Sequence, residues 1–218
     1  MKMPMKPNER EYRDFTLAVI ENEKEEDVEE RFVTGYASTF MEPYTLFEDA
    51  EIRIAEQVAP DAFADADMRD VIMQYDHQGR VFARMSNGTL DVRPDDHGLH
   101  ITANLGGTEI GRQLYEEIRG GYTTKMSYGY TVPDDGESWE RRSLEDGRTL
   151  HLRTVTRIGK VYDVSAVSLP ANDGTAISVR NLSDGVIEQV KAERLKALEL
   201  DRQKLLAKIR IMEVKNHV

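Results

Sequence analysis

The chain has 218 residues, of which 39% are hydrophobic and 32% charged, with a formal net charge of −11 and no cysteine. Such a length holds one globular domain of about 150 residues plus appendages, and the lack of cysteine excludes disulfides, thiolate nucleophiles and cysteine-ligated metal, with a reducing cytoplasm as the default compartment. The negative balance argues against direct nucleic-acid binding, which needs a basic surface to neutralise phosphates; no apolar run reaches the roughly 18 residues that span a membrane.

In chain order, residues 1–31 form a polar N-terminal region. The basic start, Met1 to Lys6, is not followed by an apolar stretch and does not read as a secretory signal. Residues 12–20 are expected to be a first strand and residues 32–40 its partner. Between them the run from Glu21 to Arg31 repels itself and reads as the hairpin tip. Residues 32–183 read as a mainly β domain with peripheral helices, an α+β arrangement. Residues 60–68 suggest a short helix anchored by Phe63. Strands are expected over 71–77, 81–85, 89–92 and 99–105, separated by Gly, Asn, Pro and Asp turn signals. Thr108 is an N-cap candidate for a helix through Arg119, in which Ile110, Leu114 and Ile118 recur every fourth residue and Gly120 ends the run. Further strands are expected over 123–132 and 161–167. Short strands joined by short turns point to a barrel or sandwich, not a parallel α/β sheet. Residues 184–218 read as a charged amphipathic C-terminal helix. Its stripe of Leu195, Leu198, Leu205, Ile209 and Met212, broken at Arg202, either packs on the domain or serves as a docking or coiled-coil arm.

Three residues carry candidate chemistry. Alternation in the strand over 123–132 puts Met126, Tyr128 and Tyr130 on an apolar face and Ser127 on the other, beside Gly129. Ser127 is then either a hydroxyl nucleophile or a surface serine on a half-exposed strand. His77 ends an apolar strand before Gln78-Gly79, a turn signal, where an imidazole can serve as a base near neutral pH or simply pack. Asp163 lies within an apolar strand, where a carboxylate is costly unless hydrogen-bonded. Orienting an imidazole would satisfy it, and so would a Lys or Arg. In the order His, Ser, Asp, the three have the residue types of a nucleophile, its base and the group that holds the base. His97, His100, His151 and His217 lack metal-ligand spacing, so neither a metal nor a cofactor is expected.

These segments resemble the prohead serine proteases of tailed bacteriophages, relatives of the herpesvirus assemblin enzymes. The pattern comprises Gly35-Tyr36-Ala37, then Glu56 followed by Pro60-Asp61-Ala62-Phe63, then Asp76-His77 and the strand Gly98-Leu99-His100-Ile101. It closes with Ser127-Tyr128-Gly129-Tyr130 and with Val164-Ser165-Ala166-Val167 leading to Pro170-Ala171-Asn172. Asp61 stands where the family has Gly, and Asp163 where Glu is common. The resemblance implies an assemblin-like closed β-barrel and a serine endopeptidase in which Ser127 attacks, His77 takes the proton and Asp163 fixes the imidazole. Oxyanion donors would be sought near Gly120-Gly121 or Arg157-Ile158-Gly159. The implied setting is the host cytoplasm, within the assembling prohead. There the enzyme would cleave the scaffold protein or a scaffold-like segment of the major capsid protein, and also itself, with a homodimer suggested by analogy. The alternative is a non-enzymatic capsid assembly or scaffolding factor that keeps the fold.

Overall fold

Alternating apolar residues punctuated by turn signals become two β-sheets. The structure is a computed structural model that describes residues 10–19, 31–168, 192, 195–196, 199–200 and 202–204. Both sheets belong to one compact unit, Lys6–Ser178. The strands are β1 (Arg10–Val19), β2 (Phe32–Thr39), β3 (Tyr44–Glu48), β4 (Ile52–Val58), β5 (Ile72–Tyr75) and β6 (Gln78–Arg84). They continue as β7 (Leu90–Pro94), β8 (Gly98–Asn104), β9 (Lys125–Thr131), β10 (Glu137–Ser143), β11 (Thr149–Val155) and β12 (Lys160–Val167), with helix α1 (Glu109–Arg119) between β8 and β9. An eight-stranded sheet has the order β6-β5-β12-β9-β1-β2-β8-β7, and a four-stranded sheet has the order β10-β11-β4-β3. Neighbours are antiparallel except β12 with β5 and β11 with β4.

The mainly β class agrees with the sequence expectation, but the closed barrel is not found. Closure requires a hydrogen-bonded ladder between the two terminal strands, and β6 and β7 end the eight-stranded order without one. Helix α1 packs against β6 and β1 instead, and its Leu114 and Ile118 complete the hydrophobic core. That core is built from one face of the large sheet: Leu99, Ile101 and Ala103 of β8, Met126, Tyr128 and Tyr130 of β9, and Val164 and Ala166 of β12 are all fully buried. Tyr128 and Tyr130 stack with ring centroids 4.6 Å apart.

Local chemistry explains the individual elements. Thr108 Oγ1 accepts from the Gly111 N–H at 3.1 Å and caps α1 as the sequence suggests. The expected helix over 60–68 shortens to a single 3-10 turn, Pro60–Phe63, with Phe63 buried as its anchor. The chain leaves that turn early because Asp67 is drawn into a bridge with Lys160, its N–H donating to Gly159 O at 2.9 Å. Gly98 opens β8 opposite Thr39, close to an irregularity in β2 between Tyr36 and Ser38. A Cβ there would lie 1.9 Å from the Ser38 carbonyl oxygen, so only glycine allows the two backbones to approach this closely.

Strand β1 pairs with β2, as expected, and also with β9, which makes it an internal strand of the large sheet. The acidic run read as a hairpin tip lies outside the described residues. No long C-terminal helix is seen: the described residues between 192 and 204 are helical, Leu195 is 68% exposed, and Leu198, Leu205, Ile209 and Met212 lie outside the described residues.

A buried ionic network ties the sheets together. Arg153 of β11 has no exposed surface. Its guanidinium reaches Glu11 of β1 at 2.5 and 2.9 Å, Glu56 of β4, and Glu137 of β10 at 2.7 Å. The Tyr130 hydroxyl of β9 donates to Glu56 at 3.1 Å, and the Tyr44 hydroxyl of β3 also donates to Glu56. Burial pushes the guanidinium down, and the charges of Glu56 and Glu11 outweigh it, holding Arg153 well above its ordinary value. Glu56, one of the motif residues, is thereby part of the framework.

Candidate active site

The site is written in the register of two neighbouring strands. In the antiparallel pair β9–β12, Ser127 lies directly opposite Ser165 and Gly129 directly opposite Asp163. Directly opposed residues, and residues two apart on one strand, share a face of the sheet. Ser127, Gly129, Asp163 and Ser165 therefore share the face that Met126, Tyr128, Val164 and Ala166 do not use. Gly129 places no side chain opposite Asp163, which leaves that space to a group arriving from elsewhere.

The arriving group is His77. Strand β5 runs parallel to β12, with Asp163 level with Ile72 and Ala166 level with Tyr75. The β5–β6 hairpin then turns on two residues, because Tyr75 already pairs with Gln78. Those two are Asp76 and His77, with φ of 48° and 57°. Positive φ at both central positions is what a two-residue type I′ hairpin requires, and Asp and His are among the few non-glycine residues that adopt it with some frequency. The sequence reading put the turn two residues later, at Gln78-Gly79, because neither glycine nor asparagine marks this one. Held in that conformation, His77 reaches back over β12, and its Nδ1 lies 2.5 Å from Asp163 Oδ1. The His77 side chain is 16% exposed and that of Asp163 1%.

Asp163 is doubly held, since the Ser165 hydroxyl also donates to its Oδ1 at 2.9 Å. Of the two partners the sequence allowed for this carboxylate, the imidazole is present. Ser165 and Ser168 are the rival serines nearest Asp163. Both are occupied as donors to carboxylates: Ser165 to Asp163, Ser168 to Asp76 at 2.9 and 3.2 Å. Asp76 and Ser165 stood in the sequence motifs, and Ser165 as a rival nucleophile, but neither had been assigned a role in holding the site. The turn chemistry of Asp76 and the strand register of Ser165 were the available signals.

Ser127 differs from its expectation. It is fully buried, not half-exposed, because β9 is an internal strand covered on both faces: Ser127 and Thr131 are buried on one, Met126, Tyr128 and Tyr130 on the other. Its hydroxyl makes no hydrogen bond among the described residues, so the Ser127–His77 bond is not formed in this state. The main-chain donors proposed for an oxyanion are also spoken for. Gly120 N–H donates to Glu116 O, Gly121 to Ile118 O, Arg157 to Gly136 O, Ile158 to Ala62 O and Gly159 to Thr131 O, at 2.8–3.0 Å. None of the five is left to receive a developing negative charge.

Beside the hairpin a cleft of about 480 Å³ opens between Tyr75, Gln78 and Phe82 on one side and Ile110 and Leu114 of α1 on the other. The residue that follows His77 thus forms part of its wall. Chemically, the strands bring an imidazole, its Nδ1 engaged by a buried carboxylate, to the sheet face that also carries the alcohol of Ser127, with a half-apolar cleft along the same hairpin. Those are parts suited to acyl transfer.

Neither the curated proteins nor the solved structures yield a match to this chain. The family model for the caudovirus prohead serine protease matches residues 17–191, a span that takes in β2 through β12 together with Ser127, His77 and Asp163. Matched over well more than half its length, the chain belongs to the caudovirus prohead serine protease family, whose members are the serine proteases of bacteriophage capsid maturation.

Proposed function

We propose that this chain is the endopeptidase that clears the prohead interior, with Ser127 as nucleophile, His77 as general base and Asp163 as the group that fixes the imidazole. The single observation that supports these roles best is the 2.5 Å contact between His77 Nδ1 and Asp163 Oδ1, made on the face of the sheet that also carries Ser127. With Nδ1–H donating to Asp163, Nε2 is left as the basic nitrogen. It takes the Ser127 proton as Oγ attacks the scissile carbonyl carbon. The same proton passes to the departing amine as the C–N bond breaks, and water then hydrolyses the acyl-enzyme with His77 again acting as base. Because Ser127 is buried and not bonded to His77, the free chain is latent, and productive geometry follows engagement with the assembling shell. The substrates are the scaffold protein or a scaffold-like segment of the major capsid protein, and the enzyme's own termini. The cleft beside the hairpin receives a substrate side chain, and the C-terminal arm, with Leu195 exposed, docks the enzyme to scaffold or capsid subunits in the host cytoplasm.

Labelling by a fluorophosphonate probe tests the assignment. Co-expressed with its capsid and scaffold proteins, the wild type should be labelled at residue 127, and Ser127→Ala should abolish both labelling and the new protein termini seen by mass spectrometry. Ser165→Ala and Ser168→Ala should still be labelled there. Undiminished processing by Ser127→Ala would remove the assignment. Particles that assemble normally around an unlabelled wild type would favour a non-enzymatic assembly factor.

A further inference from the structure

The hairpin that carries His77 is fastened to β12 at a second point. Asp76 N–H donates to Ala166 O at 2.9 Å, extending the β5–β12 ladder by one residue into the turn. The Asp76 carboxylate accepts from the Ser168 N–H at 2.9 Å and from the Ser168 hydroxyl at 2.9 and 3.2 Å. Ser168 follows immediately on Val167, the last residue of β12. Strand β12 therefore grips the turn from both ends, by Asp163 on the His77 ring and by Ser168 on the Asp76 carboxylate.

We infer that Asp76 is a positioning residue for His77, and that its carboxylate, by clamping the turn to Ser168 at the end of β12, sets the imidazole within reach of Asp163. A two-residue turn with both residues at positive φ has little means of holding itself in place when neither is glycine. A hairpin at the end of a sheet pivots about its last ladder pair, here Tyr75 and Gln78. Without the clamp the ring swings with the turn, and an error of about 1 Å in a general base costs on the order of a hundredfold in rate. The carboxylate touches neither substrate nor any reacting atom, so its effect runs entirely through His77. This inference rests on the catalytic assignment above, with one readout that does not.

Three variants separate the clamp from turn formation. Asp76→Gly keeps the backbone conformation and removes the acceptor. Asp76→Asn keeps both the turn preference and an acceptor oxygen. Ser168→Ala removes the hydroxyl donor and keeps the N–H. In the co-expressed protein, fluorophosphonate labelling at Ser127 should fall about a hundredfold in Asp76→Gly, stay within about threefold of wild type in Asp76→Asn, and fall by an intermediate factor in Ser168→Ala. Independently of activity, the downfield proton resonance of His77 Nδ1–H bonded to Asp163 should be present in the wild type and Asp76→Asn and broadened or lost in Asp76→Gly. Wild-type labelling and an unchanged resonance in Asp76→Gly would overturn the clamp. So would equal losses in Asp76→Gly and Asp76→Asn, which would point to the charge of residue 76 and not to its bonds. Should Asp76→Gly fail to fold, Ser168→Ala carries the test, and a wild-type rate together with an unchanged resonance there would overturn the clamp. A resonance that behaves as expected in a protein never labelled at Ser127 would remove the catalytic assignment and leave the clamp standing.

Discussion

At the scale of single residues, the candidate site turns on how Asp163 is satisfied. A carboxylate with 1% of its side chain exposed must be met by donors, and the His77 ring and the Ser165 hydroxyl are among those that meet it. Asp163→Asn keeps the shape but offers the imidazole an N–H as readily as an oxygen, which favours the tautomer with the proton on Nε2. Labelling or peptide cleavage by Asp163→Asn should therefore fall by about 10³–10⁴-fold, with near-native folding by circular dichroism. A fall of less than about tenfold would mean that the carboxylate does not govern the imidazole. Asp163 was legible in the sequence because a charge inside an apolar strand demands an explanation. Ser165 was not, because a serine in a strand demands none until register places it two residues from that charge and opposite Ser127.

At the scale of elements, legibility follows how local the determining chemistry is. Helix α1 was readable from a cap and a four-residue repeat, all within one segment, and Leu114 and Ile118 are buried as that repeat requires. The His77 turn was misplaced by two residues because its conformation is imposed by the pairing of Tyr75 with Gln78, not advertised by a glycine. Gly98 shows the reverse: a motif glycine whose reason lies across the sheet. Gly98→Ala drives a methyl group to 1.9 Å from Ser38 O, and we expect a loss of about 3 kcal/mol in urea unfolding; an unchanged midpoint would show that β2 and β8 can separate at low cost. The base of the β5–β6 hairpin is pinned by Asp70, whose carboxylate accepts from Arg84 of β6 at 2.6 and 3.0 Å. Those bonds lower it from 3.8 to about 2. A depressed carboxylate stabilises the fold above its ordinary value and ceases to do so as pH falls through the lowered one. The stability difference between wild type and Asp70→Asn should thus be fully present at pH 5 and shrink towards pH 2; a difference independent of pH would show that the ion pair adds nothing to stability.

At the scale of the whole molecule, the apolar patterning was enough to give a mainly β class and the β1–β2 pair, but not the other pairing partners. That β1 lies between β9 and β2, and that β6 and β7 end an open sheet, depends on contacts between distant segments that no local period encodes. The burial of Ser127 went unread for the same reason, since alternation alone assumes one solvated face. The two sheets share a charged junction whose energetics can be measured. Arg153→Met leaves Glu11 and Glu56 buried without their countercharge, and we expect a loss of about 3–5 kcal/mol in equilibrium unfolding, part of it recovered by adding Glu56→Gln. A neutral Arg153→Met would mean that those carboxylates take up protons without cost.

The order of the strands also dictates when the contact between His77 and Asp163 can form during synthesis. The imidazole and the carboxylate that holds it are 86 residues apart, and β5 has no neighbour but β6 until β12 has been made. A ribosome adding about 5–20 residues per second thus delivers the histidine seconds before the strand whose carboxylate holds its ring. On the catalytic assignment proposed above, the nascent polypeptide therefore carries a base without its carboxylate partner until β12 emerges, which adds a delay ahead of engagement with the shell.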